Sequence, residues 1–487
     1  MSEAVLGRRP IGAVILAAGK GTRMKSRKAK MLHDLCGRPL LGHMLATATA
    51  LAPERLLVVI GHEADTVSQL FAGRAEFVMQ AEQRGTGHAV LQAQPKLEDF
   101  VGDVLILYGD TPLLRRETLE RMIERKRESG ADLVLLSALL PLPGRVVRDS
   151  AGAVERIVEM RDATEQELAI EEGNTGVYLI DSKLLSEGLA SLRDDNEQGE
   201  FYITDVVSFA VRQGRSVEAM LLEDAEECLG INTRAELAEA ATILRRRTNQ
   251  RLMAQGVSII DPSNTYIDVD VEIGRDSVIE PGCSIQGTSV LGEGVHLKPH
   301  CVVESSQLDD GVVVGPSAHL RPGTRLREGV RIGNFVEVKN SDLGPGAKAD
   351  HLSYIGDSDV GAGSSFGCGS ITVNYDGLDK HRTTLGEGVF VGCNSNLIAP
   401  VTLGDGSFIA AGSTITKDVP PDALAVARAK QREIGGWAAR RRQDREDPED
   451  PEDREEARGA AAKTSPGHHP SDDEAGQTSD TGSEDEG

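Results

Sequence analysis

The sequence predicts a doubly wound, Rossmann-like α/β domain, joined by a helical linker to a parallel β-helix that ends in a disordered acidic tail. Three observations predict this. Short apolar runs alternate with helical patterns in the first half. Aliphatic residues recur every six positions in the second half. The end of the chain is acidic and has no apolar face. We place these four parts at 1–234, 235–255, 256–440 and 441–487.

The first half contains four runs of Val, Ile and Leu that are typical of strands, with amphipathic stretches between them. Because these runs are continuous rather than alternating, they indicate a mostly parallel sheet that is covered on both faces. An amphipathic segment over 235–254 predicts a rigid helical linker. The predicted strands are Val14–Leu16, Leu56–Ile60, Val104–Leu107 and Leu133–Leu136, and the predicted helices are Leu40–Leu51 and Glu117–Arg127.

The second half has a period of six. Such repeats, with frequent glycine, are typical of a parallel β-helix in which each repeat forms one short strand and one turn. With three strands per coil, about 18 residues complete a turn. We therefore expect roughly eight to nine turns between 267 and 420, with irregular coils near 304–313 and 373–384. The periodic residues are Ile267, Ile273, Ile279, Ile285, Leu291, Leu297, Val303, Val314, Leu320, Leu326, Ile332, Val338, Leu385, Val391, Leu397, Leu403, Ile409 and Ile415.

Composition narrows the function classes. The chain has 53 Lys and Arg against 77 Asp and Glu, a net charge of −24, which argues against general nucleic-acid binding and against an anionic membrane surface. The six cysteines form no CxxC pair, which argues against a zinc ribbon and favours a reducing compartment. No apolar run reaches the ~18 residues of a membrane span. We expect a cytoplasmic protein.

A glycine-rich turn follows the first predicted strand, at Gly19–Met24. Such a turn lets backbone N–H groups approach a phosphate. It is neither a Rossmann fingerprint, because Met24 replaces the third glycine, nor a Walker A motif. The eleven residues 20–30 carry six cations and no acid, which on so acidic a chain favours a polyanion site over a solvated basic loop. These cations are Lys20, Arg23, Lys25, Arg27, Lys28 and Lys30.

This turn, with the later lysine, resembles the sugar-1-phosphate nucleotidyltransferases, and Gln80–Ala89 resembles the base- and ribose-contacting loop of their uridylyltransferase branch. The resemblance implies a Mg²⁺ site at Asp110 and Asn232, and catalytic roles for Arg23 and Lys30. It implies that UTP and its sugar product contact Leu16, Ala17, Ala18, Gly19, Lys30, Gln80, Gly85, Thr86, Tyr108, Gly109, Asp110, Gly144, Glu159, Asn174 and Asn232.

The implied reaction needs no protein nucleophile. A sugar-1-phosphate oxygen attacks the α-phosphorus of a nucleoside triphosphate and pyrophosphate leaves, so the protein must position the phosphates and neutralise growing charge. One departure is that the family usually has Leu-Pro-Lys where this chain has Lys28-Ala29-Lys30. Losing the proline frees the preceding backbone. We assign the catalytic role to Lys30, and Lys28 could share it.

The irregular coils of the β-helix carry large polar side chains around His351. A purely structural β-helix is the alternative. Acyl transfer from a thioester to an amine needs a base for the ammonium proton and a donor for the oxyanion, and a histidine suits the first task. No hydrolytic triad is evident. The polar strings are His319–Gly323, Asn334–Lys339, Asp350–Tyr354 and Val373–Gly377.

These strings closely resemble the acetyltransferase half of the bifunctional N-acetylglucosamine-1-phosphate uridylyltransferase/glucosamine-1-phosphate N-acetyltransferase family. The resemblance runs in the same order from about Gly12 to Trp437. It implies that His351 is the general base and that Arg321, Lys339, Tyr354 and Ser365 bind glucosamine-1-phosphate. The implied contacts to acetyl-CoA are Cys368, Asn374, Tyr375, Cys393, Ala411 and Arg428.

The family resemblance further implies a homotrimer of left-handed β-helices that makes UDP-N-acetylglucosamine for peptidoglycan and lipopolysaccharide. Three residues depart from the family: Ser365 replaces an Asn, Cys368 an Ala and Cys393 a Ser. Two alternatives stay open. One is a nucleotidyltransferase with a regulatory, oligomerising β-helix, and the other is a non-catalytic scaffold of this fold.

Overall fold

The structure, a computed structural model, describes residues 9–446. Its N-terminal part is a sheet with helices on both faces. The strands are β1 Ile11–Leu16, β2 Asp34–Leu35, β3 Arg38–Pro39, β4 Arg55–Ile60, β5 Glu76–Met79, β6 Asp103–Tyr108, β7 Leu133–Leu139, β8 Gly144–Arg148, β9 Val154–Glu159, β10 Glu172–Asp181 and β11 Val217–Leu221. The helices are α1 Leu40–Thr49, α2 Ala64–Leu70, α3 Thr86–Ala93, α4 Arg116–Ser129, α5 Glu165–Leu168, α6 Ser182–Ala190 and α7 Asp205–Arg212.

The main sheet has the order β11-β7-β10-β6-β1-β4-β5, and two apolar clusters pack on its two faces. The four predicted strands and two predicted helices are confirmed. The sheet is less parallel than predicted, because β10 runs antiparallel to both β6 and β7 and β8 and β9 form an antiparallel hairpin beside it. Gly173 and Gly176 interrupt the apolar pattern of β10, so the sequence did not mark it as a strand.

The linker is a single helix, α8 Arg234–Ala254. A capping box begins it, since Thr233 accepts from the Glu236 N–H and Glu236 accepts from the Thr233 N–H. Its Ile243 packs with Leu40 in a cluster beside the α/β domain, and its Leu252 belongs to the core of the β-helix. One helix therefore belongs to two hydrophobic clusters, which holds the two parts in a defined relation.

The predicted parallel β-helix is confirmed, and all eighteen periodic residues are buried. Its three faces are parallel sheets of ten, nine and eight strands. The first face contains Ser258–Ile259, Val278–Ile279, His296–Leu297, Val313–Val314, Arg331–Asn334, Lys348–His351, Ser365–Phe366, Phe390–Val391, Phe408–Ile409 and Leu424–Ala425. The second contains Tyr266–Ile267, Ser284–Gln286, Val302–Glu304, His319–Leu320, Glu337–Lys339, Tyr354–Gly356, Ile371–Val373, Asn396–Ile398 and Thr414–Ile415. The third contains Glu272–Ile273, Val290–Leu291, Gln307–Leu308, Arg325–Leu326, Asp342–Leu343, Ser358–Val360, Thr383–Leu385 and Val401–Leu403.

The irregular coils lie where the period breaks. Val290 pairs with Gln307, one residue short of the regular 18, whereas Ser358 pairs with Thr383, 25 residues further on. The extra residues form a loop over 374–382, in which Leu378 is 90% exposed. Since the core positions stay in register on both sides, the loop projects from the coil without disturbing its interior.

A separate compact unit begins at Arg428, and its described part contains helix α9, Trp437–Glu446. This helix includes the first six residues of the predicted tail, because Ala438, Ala439 and the Arg and Gln residues after them are good helix formers. The remainder of the predicted tail lies outside the described residues. Within residues 9–446, no helix has both the length and the apolar character needed to cross a membrane.

Candidate functional site

The glycine-rich turn lies at the carboxyl end of β1, in the centre of the sheet. Gly21 has φ +61°, and a Cβ there would lie 2.6 Å from the Cβ of Lys30. The glycine therefore permits both the left-handed turn and the close packing of Lys30 beneath it. Arg23 follows in a short 3-10 turn and is exposed, as Lys20 and Lys25 are. The turn thus presents cations to solvent while Lys30 is drawn inward.

Lys30 is buried between the two predicted metal ligands. Its ammonium Nζ lies 2.5 Å from Asp110 Oδ2 and donates to Asn232 Oδ1 at 3.0 Å. These residues are distant in sequence, and the strands β1 and β6 with the start of α8 bring them together. A buried cation requires a charged partner, and Asp110 supplies it. Lys28 is exposed, so the geometry favours Lys30 over Lys28 for the catalytic role.

The donor set at this point fits a hard divalent cation. The Asp110 and Asn232 oxygens converge on one position, since each lies within 3.0 Å of the same nitrogen. Mg²⁺ prefers oxygen ligands and is commonly held by one or two carboxylates together with substrate phosphates. Across the described residues 9–446, no group of three or more His, Cys, Asp or Glu side chains could hold a metal. Phosphate oxygens would have to complete the coordination.

A cavity of about 260 Å³ opens beside this cluster. Gly85 has φ +100°, and a Cβ there would lie 2.5 Å from the carbonyl oxygen of Phe201, so only glycine fits the cavity wall at this position. Gln80 Nε2 donates to the Gly85 carbonyl at 3.2 Å, so this hydrogen bond joins the two ends of the segment 80–85. The cavity is lined by Leu16, Ala18, Gly19, Lys30, Met31, Gln80, Gln83, Gly85, Thr86, Ala89, Tyr108, Asp110 and Glu200.

Three predicted sugar-contacting residues meet where the β8–β9 hairpin pairs with β10. Gly144 is paired with Glu159 across the β8–β9 hairpin and with Asn174 of β10. Burial raises the pKa of the Glu159 carboxyl, while a hydrogen bond from the Thr204 hydroxyl at 3.2 Å opposes that rise. A half-buried, hydrogen-bonding carboxyl here is suited to a hydroxyl-rich ligand. Among the predicted contacts, Ala17 and Gly109 lie behind the cavity wall, where the Gly109 N–H donates to the Leu16 carbonyl.

Glu63 is a residue that sequence reasoning missed. Its carboxylate Oε2 accepts a hydrogen bond of 2.9 Å from the backbone N–H of Ala29, next to Lys30. The proline that the family usually has at this position lacks that N–H. Glu63 also has φ +53°, a conformation that is costly for a residue with a Cβ. No local sequence pattern links Glu63 to Ala29, so only the fold reveals the contact.

We expect Glu63→Ala to lower the kcat of uridylyl transfer roughly 10- to 100-fold, because small displacements of a catalytic group are costly. Glu63→Gln, which keeps an acceptor oxygen, should restore most of the rate. Ala29→Pro fits the observed φ of −52° but removes the donor. Its kcat should therefore resemble that of Glu63→Ala. The double variant, Glu63→Ala with Ala29→Pro, should have a kcat no lower than that of either single variant. Additive losses would show that the hydrogen bond does not position Lys30. Steady-state kinetics with a thermal midpoint for each variant would measure this.

The second candidate site surrounds His351 at an outer corner of the β-helix. His351 Nδ1 lies 2.8 Å from the Asn334 side-chain oxygen, one coil away. Since that oxygen only accepts, Nδ1 carries the proton and Nε2 keeps its lone pair. His351 is exposed at the coil surface. The imidazole is therefore oriented as a base that faces outward.

Cations gather on the adjacent face. Arg321 Nη1 donates to Glu337 Oε1 at 2.8 Å. The pKa of Lys339 is lowered first by the side-chain contact with Lys380 and by its charge, and then by burial and the charge of Arg321. Mutually repelling cations of this kind favour binding of an anion such as a phosphate. Lys380, on the loop 374–382, was not identified from the sequence.

Tyr354 and Asn374 lie beside these cations. Asn374 Nδ2 donates to Asp357 Oδ2 at 2.5 Å and lies 3.4 Å from the Tyr354 hydroxyl. Hydrogen bonds from Asn340 and Asn374 lower the pKa of the Asp357 carboxyl, although burial opposes them as the largest single effect. Tyr375 is exposed on the loop, where its hydroxyl donates to the Gly377 carbonyl at 2.6 Å. The structure thus brings four predicted residues, Arg321, Lys339, Tyr354 and Asn374, to one face of the coil.

Three of the six predicted acetyl-donor residues, Cys368, Cys393 and Ala411, form a column along the coil axis. Strand register places Cys368 against Cys393, and the Gly412 N–H donates to the Cys393 carbonyl, which brings Ala411 beside it. Ser365 lies on the coil that follows Lys348. Arg428 belongs to the separate unit that begins at that residue.

Asn334 was part of a polar string in the sequence, but its role was not predicted. We expect Asn334→Ala to reduce the kcat of acetyl transfer roughly 10- to 100-fold, because the imidazole loses the acceptor that fixes its tautomer. The KM for the sugar phosphate should change little, since Asn334 faces the histidine. Asn334→Asp keeps an acceptor and should retain much more of the rate. An unchanged kcat in Asn334→Ala would show that His351 needs no such orientation. Initial rates of CoA release would test this.

Two family models match parts of this chain. A family model of a MobA-like NTP transferase domain matches residues 13–197, and a model of the bacterial transferase hexapeptide, with six repeats, matches residues 382–417. The bifunctional protein GlmU of Geobacillus sp. (strain WCH70) is 47% identical over 438 residues, which cover 86% of this chain and 95% of that protein.

Two further relatives have the same name. The bifunctional protein GlmU of Listeria monocytogenes serotype 4b (strain CLIP80459) is 47% identical over 446 residues, 88% of this chain and 97% of its own length. That of Pelobacter propionicus is 47% identical over 452 residues, 88% of this chain and 98% of its own length. The resemblance predicted from the motifs is confirmed by these matches along nearly the whole chain, which therefore belongs to the GlmU family of bifunctional proteins.

Proposed function

We propose that this protein is a bifunctional enzyme that makes UDP-N-acetylglucosamine. The β-helix transfers an acetyl group from acetyl-CoA to glucosamine-1-phosphate, and the α/β domain then couples the product to UTP with release of pyrophosphate. The observation that carries the proposal is the convergence of Lys30, Asp110 and Asn232 beside a cavity of about 260 Å³, in the same chain as an oriented imidazole among cations.

In uridylyl transfer, the substrate supplies the nucleophile. Leu16–Gly19 and Gly85 shape the cavity for the nucleotide, while Gly144, Glu159 and Asn174 hold the sugar hydroxyls. Arg23 and Lys30 neutralise the charge that grows on the phosphates as pyrophosphate departs. Mg²⁺ bound by Asp110 and Asn232 would add Lewis-acid stabilisation of the phosphoryl oxygens. Lys30 leaves Asp110 for the phosphates when nucleotide binds.

In acetyl transfer, the amine of glucosamine-1-phosphate is the nucleophile. Arg321 and Lys339 bind its phosphate, and Tyr354 and Ser365 contact the sugar. His351 Nε2 accepts the proton that the amine loses as it attacks the thioester carbonyl, and Asn334 stabilises the resulting imidazolium. The column of Cys368, Cys393 and Ala411, together with Asn374 and Tyr375, holds the acetyl donor.

The family resemblance supports three further parts of the proposal. The β-helices are left-handed and assemble into a homotrimer whose acetyl-transfer site lies between subunits. The enzyme works in the cytoplasm and feeds peptidoglycan and lipopolysaccharide precursors.

A substrate panel on the purified full-length protein tests the proposal. We expect CoA release that depends on glucosamine-1-phosphate, and pyrophosphate release that depends on UTP, N-acetylglucosamine-1-phosphate and Mg²⁺. Removal of Mg²⁺ with a chelator should abolish only the second. Pyrophosphate release without CoA release would support a nucleotidyltransferase with a regulatory β-helix, and neither activity would support a scaffold.

A further inference from the structure

Two exposed cysteines lie on neighbouring coils of the β-helix. Strand pairing sets Ser365 against Phe390 and Phe366 against Val391. The same register continues into the turn, where the Asn394 N–H donates to the Cys368 carbonyl at 2.8 Å. Cys368 therefore stands directly against Cys393, and both thiols are free and exposed.

The coil spacing brings the two side chains within reach of a single bridging atom. Paired strands lie about 4.8 Å apart, and a Cβ added at Gly367 would lie only 2.6 Å from the backbone nitrogen of Cys393. Residues paired in register in a parallel ladder point to the same side. The two sulfurs consequently occupy the same outer corner, as the two arms of a dithiol.

The other four cysteines are poorly placed to compete for such a ligand. Cys283 and Cys301 are also stacked on neighbouring coils, but both are 0% exposed. Burial raises the pKa of both Cys36 and Cys228 to about 11, which keeps them protonated near neutral pH. Since the thiolate is the reactive form and access controls its reactions, the exposed pair is the preferred target.

We propose that Cys368 and Cys393 form a dithiol site for soft, thiophilic electrophiles, and that its occupation blocks acetyl transfer while uridylyl transfer continues. The location supports this effect. Cys368 lies one coil beyond His351, and Ala411 lies beside Cys393 in the same column. The inhibitory part of this inference rests on the proposed function, whereas the dithiol site itself does not.

A trivalent organoarsenical is the matching ligand class. In the reaction of phenylarsine oxide with the pair, both S–H bonds break and two As–S bonds form. The oxygen of the arsenical leaves with the two thiol protons as water, so no oxidant or reductant is required. One arsenic atom bound by two sulfurs is retained against a monothiol but is removed by a competing dithiol, because chelation raises the effective concentration of the second thiol.

Peptide mapping reads the site directly. Tryptic cleavage after Lys348, Lys380, Arg382 and Lys417 places Cys368 in the peptide 349–380 and Cys393 in the peptide 383–417, and neither peptide contains another cysteine. After treatment of the full-length protein with stoichiometric phenylarsine oxide, we expect these peptides to be joined through one phenylarsenic group. Dimercaptopropanol should release them, and a monothiol at the same concentration should not.

The variants Cys368→Ala and Cys393→Ser carry the residues that the family usually has at these positions. Each should lose the joined peptides and at least tenfold in sensitivity to phenylarsine oxide, with each variant compared with its own untreated activity. Joined peptides that contain Cys283 and Cys301 instead, or variants that stay as sensitive to phenylarsine oxide as the unsubstituted protein, would overturn the proposal. If the untreated protein releases no CoA, the proposed function fails, yet the mapping still decides whether the dithiol site exists.

Discussion

Replacing His351 with Gln should reduce the kcat of acetyl transfer on the order of 10²- to 10⁴-fold, the usual contribution of a general base. Glutamine keeps the size and polarity of the side chain but cannot accept a proton from the amine. The Asn334 oxygen that orients the imidazole cannot take over as the general base, because an amide oxygen is a very weak base. Uridylyl transfer should keep its rate, since His351 lies on the β-helix and the nucleotide cavity lies on the α/β domain.

Initial rates of CoA and pyrophosphate release on the same preparation would measure both effects. His296→Ala is a matched control, because His296 is a half-buried coil histidine that is likewise paired to a polar residue one coil away, Glu280 at 2.7 Å. It should change neither activity. An active His351→Gln variant would remove the base from the proposed mechanism. The alternative in which the β-helix is only regulatory would still have to explain why CoA is released.

Replacing Asp110 with Asn should reduce kcat/KM for uridylyl transfer on the order of 10²- to 10³-fold, comparable to the loss of one pre-organised group that stabilises transition-state charge. Two effects combine. The metal position loses its only carboxylate among the proposed ligands, and Lys30, which is 7% exposed, loses its charged partner. The requirement for Mg²⁺ should rise to higher concentrations. Acetyl transfer should be unaffected.

Asp99→Asn is the matched control, because Asp99 forms an ion pair with Arg55 at the surface of the same domain, with 77% of its side chain exposed. Surface pairs of this kind contribute about 0–1 kcal/mol, so both activities and the thermal midpoint should be unchanged. Simultaneous loss of both activities in a folded Asp110→Asn protein would contradict two independent sites.

Periodicity explains how much of the fold could be predicted. Each coil of the β-helix repeats one local pattern, so eighteen aliphatic positions predicted eighteen buried side chains. The antiparallel strand β10 carries glycines within its apolar run and joins the sheet after the β8–β9 hairpin. Its place in the sheet depends on partners distant in the chain, which a local pattern does not contain.

The same contrast holds for the sites. The glycine-rich turn, Asp110 and His351 were identified because their neighbours form short motifs that resemble a known family. Glu63, Asn334 and Lys380 were not assigned roles, since each acts on a residue that is close only in space. The choice of Lys30 over Lys28 belongs here too, because the two differ in the direction the backbone gives their side chains.

The amino-acid order by itself determined the fold class, the repeat and the family, and it predicted which residue types are the reactive groups. Those properties depend on residue types at fixed spacings along the chain, so a repeat period or a short motif is enough to predict them. The tertiary structure alone decided which lysine meets Asp110, which oxygen orients His351 and that Cys368 stands against Cys393. Such contacts depend on how coils and strands stack, and the stacking follows from burial of apolar surface over the whole chain rather than from any single segment.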